Sequence, residues 1–354
     1  VGASLISSLR CGKALVLLSM ELLGSTSSEA PAMINDNTTL DYYIPEDVAE
    51  VLRVHYQIVL PILVALSLVT NSLALIVARR PSLKALHVNQ YIILLAIVDT
   101  CFSMAFVPHL IDTENCTYSN HTIALYHAYF GQSLPYYFRH ISTFLLVSLA
   151  LDRFLAIWFN QIFQIIRRHT TFRFAILWVW ISISVIPHIL IGHISPHMNN
   201  QWLVLPGSRN TKHPWLKAYK MYATIAFGVL PCMALISLSI GMIIGIIKKM
   251  MAKSSPRNTS ANRQLSLTIG VLVFNVFYVV STSFEALLAI RYKIGEGGCY
   301  GTTQAEWLKL VANCISMIWT VFNLFVFFAI NRDYREELKL VLSSFICGRC
   351  IKRK

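Results

Sequence analysis

Seven long apolar stretches alternate with short polar connections, over roughly 54–78, 87–110, 124–158, 172–194, 215–247, 265–291 and 305–330. Each exceeds the ~20 residues a helix needs to cross the hydrocarbon core of a bilayer. A backbone in lipid must satisfy its own hydrogen bonds, so each stretch predicts a membrane-spanning helix. After the seventh, Tyr334, Leu338, Val341, Leu342 and Phe345 recur at helical spacing, with Arg332, Arg335 and Lys339 between them. That pattern predicts a short amphipathic helix lying on the membrane surface. The expected fold is an all-α membrane protein, a seven-transmembrane-helix bundle with a short amphipathic C-terminal helix.

Composition agrees: 55% of residues are hydrophobic and 13% charged, whereas a soluble domain carries about 25% charge. Between Val54 and Ile330 the spans leave no room for a soluble enzyme domain, and no catalytic residue or cofactor is assigned. The formal net charge of +13 changes meaning once it is placed. Basic residues cluster in alternate connections, at Arg79, Arg80 and Lys84, at Arg167, Arg168 and Arg173, and at Lys248, Lys249, Lys253, Arg257 and Arg263. The tail adds Arg349, Lys352, Arg353 and Lys354. The positive-inside rule puts these in the cytoplasm and the amino terminus outside. The charge therefore speaks of topology and anionic lipid, not of nucleic acid. The expected organisation is an extracellular segment over 1–53, a seven-transmembrane domain over 54–331, and an amphipathic helix with cytoplasmic tail over 332–354, in the plasma membrane.

Three glycosylation sequons, at Asn37, Asn115 and Asn120, fall on the outer side of that topology; a fourth, at Asn258, falls inside and should stay unmodified. Arg10 and Lys13 before the apolar run Ala14–Leu23 read as a signal peptide, which Glu21 interrupts; insertion by the first span is the alternative. Cys101, Cys232 and Cys314 lie within spans and read as small packing residues. Cys116 and Cys299, near the outer mouth, either pair or stay free. Cys347 and Cys350, beside the last basic cluster, read as palmitoylation sites, with free cytosolic thiols as the alternative. No nearby residues complete a zinc site.

Two charges lie deep. Asp99 stands about 18 Å into the second span by helical rise, so it must face the bundle interior and find partners. Arg139 precedes Arg153 by fourteen residues, ~21 Å above the inner end of the third span, where an arginine costs at least ~2.5–3.5 kcal/mol unless paired or hydrated. Two readings stay open. Arg139 and Asp99 form an internal salt bridge, or Arg139 points into a ligand cavity and binds an acidic group, with Glu285 and His109 nearer the mouth; a snorkelling or water-exposed arginine is what is left.

The spans also carry single residues in a telling order: Asn71 in the first; Leu95-Ala96-Ile97-Val98-Asp99 in the second; Asp152-Arg153-Phe154 closing the third; Trp178 and Pro187 in the fourth; Pro231 in the fifth; Phe274 in the sixth; and Asn323-Leu324-Phe325-Val326-Phe327 in the seventh. Over about Val54 to Ile346 the chain resembles the rhodopsin-like (class A) G-protein-coupled receptors. The resemblance implies a receptor that passes an extracellular ligand's signal to a heterotrimeric G protein. It puts Asp152, Arg153 and Phe154 at the G-protein end. It groups Asn71, Asp99, Ser142, Tyr278, Asn323 and Phe327 in an activation network, where Asp99 and its polar neighbours surround a sodium ion or water. It gives a ligand pocket containing His109, Arg139, Tyr278, Glu285 and Asn313.

The chain departs from that family in places. Phe277-Tyr278-Val279-Val280 replaces Cys-Trp-x-Pro, Leu324 and Phe327 replace the proline and tyrosine of Asn-Pro-x-x-Tyr, and Ser239 stands where tyrosine is usual. Ala128 replaces the cysteine at the top of the third span, and the loop His197 to Pro214 has none. Pro135 excludes the amine-receptor aspartate and Met317 the opsin lysine, with Lys309 two turns too high. The outer end is aromatic, with Tyr136, Tyr137, Trp202, Trp215, Tyr219, Tyr222 and Trp307. Such rings suit a peptide ligand, and a membrane-interface belt predicts the same composition. The whole is similar to invertebrate neuropeptide receptors. The alternative classes are a seven-helix transporter or channel, or a divergent chemosensory receptor. A transporter should show internal repeats, and the seven spans show none.

Overall fold

The computed structural model describes residues 54–84, 87–110, 117–118, 120–131, 133–168, 170–189, 193–196, 202–205, 214–251, 259–292 and 303–347. Seven spanning helices follow one another: α1 (Leu60–Ala78), α2 (His87–Phe106), α3 (Ser133–Trp158), α4 (Thr170–Ile189), α5 (Leu230–Met251), α6 (Thr259–Tyr292) and α7 (Thr303–Ile330). The expected amphipathic helix is α8 (Arg332–Cys347). α1 packs on α2 and α7, α2 on α3, α5 on α3 and α6, and α6 on α7, which closes a ring. α3 also packs on α4 and α6, so among the described residues it packs closely on four of the other spanning helices. The side chains on α3 are therefore the ones best placed to link the rest.

The bundle's outer face is apolar, and polar side chains are turned inward among a largely apolar core. On α1, Ser67, Thr70 and Asn71 are buried while Ile62, Leu66, Val69 and Ile76 are exposed. The same inversion buries Asp99, Ser103, Ser142, Thr143, Asp152 and Asn275 and exposes Ile236, Ile240, Ile243, Ile244 and Ile247 on α5. Lipid solvates the outward aliphatic side chains, and polar groups turn inward to find partners.

Three π-helical turns, His55–Val59, His127–Gly131 and Thr224–Val229, interrupt the regular helices. Each precedes a proline, Pro61, Pro135 and Pro231, and each contains the residue four positions before it: Gln57, Gly131 and Phe227. A proline ring collides with the carbonyl four residues back and offers it no N–H, so the ladder widens there. The widening is explicit where Leu60 N–H donates to His55 O and Leu230 N–H to Ile225 O, five residues apart. At Pro231 the widening takes the form of a π turn that buries Phe227. In the third stretch, the π turn separates the short helix His121–Tyr126 from α3.

Among the described residues, the loops also hold a small sheet. Thr117–Tyr118 (β1), His193–Pro196 (β2) and Trp202–Leu205 (β3) form an antiparallel sheet in the order β1-β3-β2. The fourth-span helix, read from sequence to residue 194, ends at Ile189, and His193 and Ile194 belong instead to strand β2. Apolar β-branched residues near a span's end read equally as helix or strand.

Candidate functional site

A small cavity lies among α2, α3, α6 and α7, lined by Asp99, Phe102, Arg139, Ser142, Tyr278, Ser281, Thr282, Ser316, Trp319 and Thr320. About 20 Å³ of it is open to water, room for roughly one molecule. Helical spacing puts Arg139 and Ser142 on one face of α3 and Ser316, Trp319 and Thr320 on one face of α7. Ser142 Oγ donates to Asp99 Oδ1 at 3.0 Å, and Arg139 Nη1 donates to Ser316 Oγ at 2.9 Å. Ser316 spends its own hydrogen on Ala312 O at 2.9 Å, so it is an acceptor toward Arg139. Thr143 likewise donates to Arg139 O at 2.9 Å, so in its short hydrogen bond with Tyr278 the phenol donates. The central helix is thereby tied to α2, α6 and α7 within about one turn.

Of the residues expected in the activation network, Asp99, Ser142 and Tyr278 meet in this cavity. Asn71 lies beside it, linked to Asp99 O through Ser67 and Ser103. Its amide nitrogen donates to Ser67 O at 2.9 Å, Ser67 Oγ at 3.1 Å and Thr320 O at 3.4 Å. Ser67 Oγ in turn lies 2.7 Å from Ser103 Oγ and 2.8 Å from Thr320 Oγ1. Asn71 therefore joins α1 to α7 through a serine–threonine cluster beside the cavity. Asn323 and Phe327 fall within α7, and their side chains lie outside the described residues. Of the expected ligand residues, Arg139 and Tyr278 line the cavity. Asn313 is half-buried on α7, three residues before Ser316. His109 lies in the 3-10 turn after α2 and Glu285 in α6, with side chains outside the described residues.

A second polar site closes one end of the bundle, here termed the basic end because Arg79, Arg80 and Lys248 lie there. Asp152 is fully buried and accepts from Tyr91 Oη at 2.5 Å. Arg153 is buried too, with its guanidinium 5.9 Å from the centre of the Phe163 ring, within cation–π range. Phe163 belongs to the helix Asn160–Arg168, which follows α3 and carries that ring over the arginine. Phe154 faces α5. A Cβ at Gly241 would stand 2.6 Å from Phe154 Cε2, and one at Gly245 only 2.5 Å from Ile157 Cγ2. Only glycine permits that approach of α5 to α3, as small residues do between membrane helices. Trp158 Nε1 seals the seam by donating to Gly241 O at 2.9 Å.

Residues 70–327 match the family 7 transmembrane receptor (rhodopsin family). The chain belongs to the rhodopsin family of seven-transmembrane receptors. No curated protein matches it. In this receptor the family's fifth-span tyrosine is replaced by Ser239, which accepts from Asn275 Nδ2 at 3.2 Å and so joins α5 to α6 directly. Three of the seven mouth aromatics serve the bundle. Tyr137 Oη pairs with Ser182 Oγ at 2.9 Å, Tyr219 Oη donates to Ser184 O at 2.9 Å, and Tyr222 Oη lies 3.1 Å from Ser184 Oγ.

Sequence reading passed over Tyr91, Phe163, Ser316 and Trp319, which no motif marks. The Gly241-x-x-x-Gly245 spacing was a visible signal for the α3–α5 seam. Of the other expected sites on the receptor, Asn120 is exposed and caps the helix His121–Tyr126, accepting from Thr122 N–H at 2.8 Å. Cys347 ends α8. The signal-peptide segment, Asn37, Asn115, Cys116, Asn258, Cys299 and Cys350 lie outside the described residues.

Proposed function

We propose that the receptor sits in the plasma membrane with its amino terminus outside and its basic end in the cytoplasm, and transmits binding of an extracellular peptide to a heterotrimeric G protein. The observation that carries this reading is Arg153, an arginine buried at the basic end with the Phe163 ring of a short helix over its guanidinium. A charge kept there under a removable cover suits a protein that uncovers it for a partner. The route from the ligand side is supported by the links from α3 to α2, α6 and α7 around Arg139, Ser142 and Thr143. A cavity with room for about one water leaves little space for a ligand at that depth. This favours a large ligand held at the mouth, with His109, Glu285 and Asn313 as its outer contacts and Arg139 and Tyr278 beneath. The basic residues of α8 and the exposed Leu340 and Leu342 suit anionic lipid.

Nucleotide exchange on heterotrimeric G proteins tests it, in membranes carrying matched amounts of the wild type and Arg153→Ala and challenged with a tissue peptide extract. The wild type should respond and Arg153→Ala should not. Equal responses from the two would remove Arg153 from the mechanism.

A further inference from the structure

The cavity beneath Tyr278 contains one carboxylate, Asp99, and one guanidinium, Arg139; no other formally charged side chain is among the described residues lining it. The family resemblance implies a sodium ion beside the carboxylate. The surroundings do not fit one. Arg139 presents donors and no acceptor, as does the indole of Trp319. Trp319 Nε1 is buried without a hydrogen-bond partner, and the residue is only 8% exposed. Asp99 and the hydroxyls of Ser142, Ser281, Thr282, Ser316 and Thr320 do supply oxygens, but a fixed guanidinium in the same small space repels the hard cation that such oxygens would otherwise hold. Asn71, an amide near the carboxylate in sequence pattern, directs its nitrogen to Ser67 and Thr320 instead. With about 20 Å³ open to water, a sodium ion would share a one-water space with a guanidinium of the same sign.

We propose that Arg139 is the resident cation of this cavity, balancing Asp99 from a fixed position on α3 and leaving the receptor indifferent to sodium. The geometry supports that role. Ser142, three residues along α3 from Arg139, already holds Asp99 Oδ1 at 3.0 Å, and Ser316 holds Arg139 Nη1 at 2.9 Å. The two charges are thus oriented from one helix face and one cavity. A buried carboxylate requires a compensating charge, and a tethered arginine supplies it without the entropy cost of capturing an ion. The inference needs the bundle alone, and stands or falls separately from the peptide and G-protein reading.

Thermal unfolding of the purified receptor in sodium chloride against choline chloride at equal ionic strength tests it without any ligand. Wild-type curves should coincide in the two salts. Arg139→Gln should gain a saturable, sodium-specific rise in Tm of roughly 2–4 °C, lost again in Asp99→Asn/Arg139→Gln. A saturable sodium shift in the wild type that Asp99→Asn removes would overturn the proposal, as would an Arg139→Gln receptor as indifferent as the wild type. Should Arg139→Gln fail to reach the membrane, surface expression decides. Recovery in Asp99→Asn/Arg139→Gln supports the charge balance, and a double variant no better than its worse parent contradicts it.

Discussion

Tyr334 Oη donates to Asn89 Oδ1 at 2.6 Å, and Asn89 Nδ2 donates to Ala78 O at 2.7 Å. One buried chain of hydrogen bonds therefore fastens α8 to α2 and to the last turn of α1. Glu337 adds a surface latch, accepting from Ser82 Oγ at 2.5 Å with Arg80 Nε 4.0 Å away. The Arg332–Glu336 pair at 2.7 Å is more exposed. Arg332's hydrogen bond and charge draw the Glu336 carboxyl below the usual carboxylate range.

Tyr334→Phe should destabilise the receptor by about 1–3 kcal/mol, since it strands a buried amide oxygen. Glu337→Ala, at the latch, should cost less than about 1 kcal/mol. Thermal unfolding of the two purified variants would show the order, and a Glu337→Ala loss equal to that of Tyr334→Phe would sink it.

At the α3–α5 seam, Gly245→Ala should separate the helices, because the new Cβ meets Ile157 Cγ2 at 2.5 Å and Trp158 Nε1 at 3.0 Å. Gly241→Ala meets only the edge of the Phe154 ring, at 2.6 Å, and should be milder. Gly228 has nothing within 4 Å of its would-be Cβ, so Gly228→Ala should be neutral or stabilising by up to about 1 kcal/mol. A ranking of the three by Tm in which Gly228→Ala is the most harmful would contradict the packing described.

Tyr91→Phe removes a hydrogen bond to the buried carboxylate of Asp152, worth about 1.5–3 kcal/mol. Phe163→Ala removes the ring over Arg153. Both changes should raise nucleotide exchange in the absence of ligand, by loosening the closed basic end. Unchanged basal exchange in both, at normal surface expression, would show that these contacts do not hold the receptor quiet.

The spans, α8 and the burial of Asp99 were legible because hydropathy and helical rise fix them with no knowledge of neighbours. Counting along α3 also set Arg139 near the level of Asp99, and the two line one cavity. What escaped depends on contacts between distant segments. The route from Asn71 to Asp99 is one such case: Asn71 donates to Ser67, whose hydroxyl meets Ser103, and Ser103 donates to Asp99 O, a relay that no motif marks. Phe163 covers Arg153 only because the chain turns back into a helix after Phe159, and nothing in its apolar character distinguishes it from neighbouring Ile162 or Ile165. The sheet was hidden because its strands are two to four residues long.

The central claim, that the receptor answers an extracellular peptide through a G protein, is tested most directly by exchange in wild-type membranes. An intact peptide extract would be compared with the same extract digested by protease and then heat-inactivated. The account predicts stimulation by the intact extract and none by the digested one, with no effect in membranes lacking the receptor. Stimulation that survives digestion would contradict a peptide ligand. Uptake or current evoked by the extract without nucleotide exchange would contradict the receptor mechanism itself.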